Sequence, residues 1–260
     1  MRTNLVSRVI QRTNNLYNQG GIIKIIKHTN KYIKNQAYWV SDYFGMADNI
    51  SNLNNLQRNN KLDFLLKTVY EDFDNVLRIT QIKSEIRRLL TILQNDPPKV
   101  MLEIGTAYGG TLFLFSKICR PDSKIISIDL PYSIFAGGYP SSRKILYNSF
   151  ATTEMQKIHL IKADSHDSKT LTKLKQKLDG NKLDFLFIDG DHSYEGVKKD
   201  FELYHNLIRK GGIIALHDIV KSPMFDSYKF WNEIKDNYVH EEIIDVQGNH
   251  KGAGIGVIYI

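Results

Sequence analysis

After Pro97–Pro98 the chain alternates short apolar runs with amphipathic stretches, and few architectures accept that rhythm. Val100–Ile104, Ile125–Ile128, Ile158–Ile161, Phe185–Ile188 and Ile213–Leu216 are nearly continuous in apolar residues. Such runs read as strands covered on both faces. Thr111–Cys119, Ser142–Met155, Ser168–Leu178 and Tyr194–Arg209 lie between them and carry helical patterning. Strand and helix in alternation, joined by right-handed crossovers, predict an α/β doubly wound parallel sheet with helices on both sides. Phe225–Asp236 adds a helix, and Ile243–Val246 and Ile255–Ile260 read as two closing strands. The Gly-rich turn Gly248 to Gly254 joins those two, which predicts an antiparallel edge.

Upstream the texture differs. Leu62 to Leu93 is helical in pattern, and the two prolines end it because proline cannot continue a helix. Residues 1–60 hold twelve of the chain's twenty Asn. Residues 1–41 hold seven Lys/Arg and no acid, so the whole net charge of +7 resides in that segment. Within it, Gly21–Tyr38 sets Ile22, Ile25, Ile26 and Ile33 roughly on one helical face, with lysines largely elsewhere. The chain thus divides into a basic Asn-rich segment (1–60), a helical lead-in (61–97) and an α/β body (98–260). The one cysteine, Cys119, rules out an internal disulfide and fits a reducing, cytoplasmic setting. No apolar stretch reaches the ~20 residues of a membrane span.

Chemistry concentrates at the ends of the strands, where open α/β sheets bind ligands. Leu102-Glu103-Ile104-Gly105-Thr106-Ala107-Tyr108-Gly109-Gly110-Thr111 makes a tight strand-to-helix turn whose glycines let a ligand approach the backbone. Its spacing is neither the G-x-G-x-x-G of dinucleotide sites nor a P-loop. Asp129 ends the second strand, where a carboxylate can accept both hydroxyls of a ribose. Asp164 and Ser165 follow the third strand and suit an adenine edge. Phe185–Ile188 delivers Asp189, Asp191 and His192; Asp191 and Ser193 also suit capping of the next helix. The following strand delivers His217 and Asp218 to the same edge. Asp189, His217 and Asp218 together form an oxygen and nitrogen cluster able to hold one divalent ion.

In that order these motifs resemble the class I S-adenosylmethionine-dependent methyltransferases. The likeness is nearest to the sugar and natural-product O-methyltransferases and cephalosporin-hydroxylase-like proteins, and it covers about residues 98–260. The resemblance implies a Rossmann-like, mainly parallel seven-stranded sheet preceded by N-terminal helices. It implies S-adenosylmethionine as cofactor, lined by Glu103, Gly105, Thr106, Tyr108, Gly109, Asp129, Asp164, Ser165 and Asp189. It also implies Mg²⁺ or another divalent cation at Asp189, His217 and Asp218, although His217 replaces the usual acid. His192, three residues after Asp189, matches the position of a general base, with Asp189 as the second catalytic residue. The acceptor implied is a hydroxyl of a sugar, glycolipid or related small molecule.

The basic N-terminus has three readings: a lid or homo-oligomer element, a peripheral contact with an anionic membrane, or a nucleic-acid surface. The last is disfavoured, since a lysine cluster alone is weak evidence. Tyr132–Ser142, rich in Gly, aromatic and hydroxyl residues, reads as a lid over the acceptor. Rival functions are a catalytically silent relative that binds S-adenosyl compounds or scaffolds a partner, a methyltransferase acting on another acceptor, and a nucleotide-dependent oxidoreductase. The missing G-x-G-x-x-G counts against the oxidoreductase.

Overall fold

The computed structural model describes residues 45–46, 48–53, 61–131, 138–245 and 253–260. Gly21–Tyr38, most of the Tyr132–Ser142 segment and most of the Gly248–Gly254 turn lie outside the described residues. Seven strands form one sheet in the order β3-β2-β1-β4-β5-β7-β6. They are β1 (Val100–Ile104), β2 (Lys124–Asp129), β3 (Lys157–Lys162), β4 (Leu183–Ile188), β5 (Ile208–His217), β6 (Val239–Ile243) and β7 (Ile255–Tyr259). The first five pair in parallel, and β7 lies antiparallel between β5 and β6.

The helices are α1 (Leu62–Lys67), α2 (Lys83–Asn95), α3 (Gly110–Ile118), α4 (Arg143–Asn148), α5 (Ser168–Leu178), α6 (Tyr194–Tyr204) and α7 (Ser227–Ile234). Alternate strand residues point to opposite faces, so the sheet feeds two cores. Met101, Ile125, Phe185, Phe187 and Val257 pack with α1, α2, α3 and α4. Leu102, Ile104, Ile126, Leu186 and Ile214 pack with α5, α6 and α7. α3 is buried along its length, which matches its nearly unbroken apolar sequence.

Four expected boundaries change. The Leu62–Leu93 helix is broken: a π-turn at Thr68–Asp72 follows α1, and the chain runs non-helically until α2 starts at Lys83. That excursion lays residues 76–81 across the sheet edge. The Ser142–Met155 helix stops at Asn148, where Lys117 Nζ donates to the Phe150 carbonyl (2.6 Å) and holds the chain in a turn. The Tyr194–Arg209 helix ends at Tyr204, because Ile208 already pairs with Leu183 in the sheet. The penultimate strand is Val239–Ile243, not Ile243–Val246. As an edge strand it carries charged residues, paired with Arg88, Lys235 and the Trp231 indole, so it has no apolar run to announce it. In the N-terminal segment, 48–53 is helical and Leu53 is buried in the first core.

Candidate active site

The strand order sets β1 between β2 and β4, so the tips of β2, β1, β4 and β5 stand side by side. The Gly-rich turn leaves β1 with Gly105 at φ +99° and Gly109 at φ +81°, both in the left-handed region. A Cβ on Gly105 would sit 2.1 Å from the Asp189 carbonyl oxygen. The turn and the β4 tip are therefore in backbone contact. A Cβ on Gly109 would strike the Tyr147 ring at 2.5 Å, and the Tyr147 hydroxyl donates to the Ala107 carbonyl. Tyr147 thus props the turn from behind.

Asp129 grips the same turn. Its Oδ2 accepts from the Thr106 (3.1 Å) and Ala107 (2.7 Å) amides, and its Oδ1 from the Leu130 amide (2.7 Å). Burial pushes its pKa up to about 6, although the three amide bonds oppose the rise. Glu103 is fully buried beneath the turn, where its oxygens accept the Thr111 (2.6 Å) and Ser127 (2.7 Å) hydroxyls. Burial outweighs those bonds and lifts its pKa to about 8, so it holds its proton at neutral pH. Ser127 also bonds the Thr106 hydroxyl. Tyr108 is half-buried, with the Arg78 guanidinium 5.1 Å from its ring centre. At the β3 end, Asp164 Oδ1 accepts the His166 amide and the Ser165 carbonyl accepts the Tyr204 hydroxyl.

The fourth and fifth tips bring Asp189, His192, His217 and Asp218 together. His192 Nδ1 lies 2.9 Å from Asp218 Oδ2 and 4.0 Å from Asp189 Oδ1. His217 Nδ1 lies 2.9 Å from Asp189 Oδ1 and 3.3 Å from Asp218 Oδ1. The shorter contact has hydrogen-bond length, yet neither His217 nitrogen makes a hydrogen bond of good angle among the described residues. We read it as charge facing charge. Burial disfavours the His217 cation, but Asp189 and Asp218 outweigh it and raise the pKa to about 9. For His192, burial is likewise outweighed, here by Asp218 and then Asp189, and its pKa rises. His192 is the more open ring, with 34% of its side chain exposed against 5% for His217. Asp218 adopts φ +61°, a strained conformation for a non-glycine residue at a strand end.

Of Asp191 and Ser193, Ser193 caps the helix by accepting the Gly196 amide, whereas Asp191 accepts the Ser193 amide in the turn before it. Sequence reasoning missed Gln81. Its amide Nε2 donates to Asp189 Oδ2 at 2.6 Å from the start of α2. No local signal marks it, since Lys83, Ser84 and Glu85 make the head of that helix polar in any case.

Residues 102–219 match a family described as a methyltransferase domain. An uncharacterized mimivirus protein, R132 of Acanthamoeba polyphaga mimivirus, is 32% identical over 148 residues, 56% of this chain and 60% of that one. Uncharacterized protein y4gI of Sinorhizobium fredii is 23% identical over 141 residues, 53% of this chain and 15% of that one. The chain therefore spans less than two thirds of the length of these relatives. Among solved structures, CalS11, a TDP-rhamnose 3'-O-methyltransferase of calicheamicin biosynthesis, aligns with a TM-score of 0.53 at 18% identity over 76% of this chain and 91% of that one. The Bacillus cereus O-methyltransferase in complex with SAH aligns with a TM-score of 0.51 at 14% identity, covering 76% and 90%. The fold is that of these proteins.

Proposed function

We propose, from the match of residues 102–219 to a methyltransferase-domain family, that this protein is a class I S-adenosylmethionine-dependent methyltransferase that transfers a methyl group to a hydroxyl of a sugar, glycolipid or related small molecule. The observation that carries the reading is the pairing of two neighbouring features. Asp129 stands at the tip of β2 and accepts the Ala107 amide of the glycine turn, where a carboxylate can take ribose hydroxyls, and the His192–Asp218 pair at 2.9 Å stands two strands away on the same edge. CalS11, a TDP-rhamnose 3'-O-methyltransferase of the same fold, supports the acceptor class by analogy alone.

In this reading the sulfonium supplies the activated methyl, and the chain supplies alignment and a base. His192 directs Nδ1 at Asp218, which leaves Nε2 to take the acceptor proton. The acceptor oxygen forms the new bond to the methyl carbon as the carbon–sulfur bond breaks. The electron pair stays on sulfur, and the proton ends on His192. Asp218 steadies the resulting imidazolium, as the raised His192 pKa indicates.

The donor set does not fit Mg²⁺. Asp189, His192 and Asp218 do each offer a ligand atom within 4.8 Å of the others. Yet all four carboxylate oxygens already face nitrogen: Asp189 meets His217 and Gln81, and Asp218 meets His217 and His192. Two imidazoles suit a transition ion, whereas Mg²⁺ prefers all-oxygen ligands. We therefore assign the positive charge between the two acids to His217, and no step runs through an ion.

The test is His192→Ala. Turnover on any accepted hydroxyl falls by roughly 10²–10⁴-fold, while affinity for S-adenosylhomocysteine holds. Unchanged turnover removes His192 from the chemistry.

A further inference from the structure

We propose that Gln81, which lies outside the matched domain, is a positioning residue for the transfer: its side-chain amide fixes the Asp189 carboxylate in the orientation that faces His217 and His192. The inference rests on the reading of the strand-tip cluster as the transfer site.

A carboxylate turns readily about its last torsion, because that torsion is broad and two-fold. Something must select one orientation if Asp189 is to meet both rings. Gln81 is 4% exposed, and its Nε2 donates to Asp189 Oδ2 at 2.6 Å. Asp189 Oδ1 is left facing His217 Nδ1 at 2.9 Å and His192 Nδ1 at 4.0 Å. A bond from the neutral amide to one oxygen thus sets where the other oxygen points.

Gln81 is itself held from both sides. The Tyr70 hydroxyl donates to its carbonyl at 2.7 Å. Upstream, a Cβ on Gly110 would lie 2.4 Å from the Leu77 carbonyl, so the 77–79 segment rests directly on the head of α3. The Val76 carbonyl accepts from the buried Arg143 guanidinium. Downstream, one helical turn on, the buried Glu85 accepts the Asp245 (2.9 Å) and Gly254 (3.0 Å) amides. Gly254 in turn bonds Ile219, the residue after Asp218. The head of α2 therefore clasps the site twice: Gln81 on the β4 carboxylate, and Glu85 on the hairpin beside β5. A purely structural strap would need neither a buried amide nor a bond to a site carboxylate.

The experiment compares wild type with Gln81→Met, which keeps the volume and deletes the donor, and Gln81→Asn, which withdraws it by one methylene. Three readouts are taken: imidazole ¹⁵N resonances by long-range proton–nitrogen correlation, thermal melting, and calorimetric titration with S-adenosylhomocysteine. The proposal expects shifted ring resonances for His192 and His217 and unmoved ones for His159 and His240. It expects a melting temperature within a few degrees of wild type and a Kd within about threefold. Unmoved His192 and His217 resonances in a folded variant overturn it. So does an affinity loss beyond about tenfold with those rings unmoved, which would assign Gln81 to the cofactor site. If Gln81→Met does not fold, Gln81→Asn decides on the same criteria. Wild type that binds no S-adenosylhomocysteine would instead overturn the methyltransferase reading, and the ring comparison would still judge Gln81.

Discussion

On the proposed assignment of Asp129 to the ribose, affinity for the cofactor becomes sensitive to pH in a direction fixed by the raised Asp129 pKa. The Asp129 carboxyl ordinarily titrates near 3.8, but burial against the turn raises it to about 6. Ribose hydroxyls donate to the ionised form and so favour it. Protonation removes that acceptor, hence affinity falls as pH drops through the raised value. At one unit below it, about ten molecules in eleven carry the proton. Affinity for S-adenosylhomocysteine should therefore fall about tenfold, or ~1.4 kcal/mol, between pH 7 and pH 5. Calorimetric titration across that range reads the slope directly. Asp129→Asn serves as control, since it keeps the shape and does not titrate. Its affinity should be lower at pH 7 and nearly level down to pH 5, which separates Asp129 from any imidazole titration. A flat wild-type profile, or the same slope in Asp129→Asn, would refute the assignment of Asp129 to the ribose.

Other expectations follow from the same geometry. Glu103 binds its proton more tightly folded (about 8) than in its ordinary state (4.5), so its contribution is full below 4.5 and lost as pH rises through about 8. Wild-type stability should decline across that window by up to ~1.4 kcal/mol per pH unit, and Glu103→Gln should lack that slope in melts from pH 5 to 9. Gly105→Ala combines φ +99° with a Cβ 2.1 Å from a backbone oxygen. It should abolish S-adenosylhomocysteine binding in calorimetry, and wild-type affinity would show that the turn does not shape the site. Turnover should rise with pH through an acid limb above the ordinary imidazole value of 6.5, because Asp218 raises His192 and only its neutral form accepts a proton. A limb below 6.5 would contradict that pairing. Exhaustive chelation should leave turnover unchanged, since no ion takes part in the proposed step. A loss restored by Mg²⁺ would overturn the donor-set argument.

The parallel half of the fold is legible because its strands are buried on both faces and must be apolar throughout. Ile125, Ile126 and Ile128 pack into two different cores at once, so their run stands out. The edge strand β6 was legible only in existence. Glu241 and Glu242 face Arg88, Lys235 and Trp231 rather than a core, and the apolar pattern places the strand start at Ile243, four residues after Val239. The site followed from strand order, since residues that end adjacent parallel strands meet at one edge: Asp129, Asp189, His192, His217 and Asp218 all lie there. Glu103 shows the limit of that logic. It stands near the end of β1, but packing leaves it buried beneath the turn, bonded to Thr111 and Ser127. Gln81 was hidden for a different reason. It reaches Asp189 across 108 residues of sequence, and such a long-range contact leaves no local pattern.

In the proposed reaction the edge formed by the Gly105–Gly109 turn and Asp129 holds an S-adenosyl cofactor for the His192–Asp218 pair. Titrating S-adenosylhomocysteine into the purified protein at neutral pH, beside Asp129→Ala, tests it most directly. The expected result is saturable binding at a micromolar Kd (about −8 kcal/mol) that the substitution weakens by tenfold or more. No binding to wild type, or equal binding to both proteins, would contradict it.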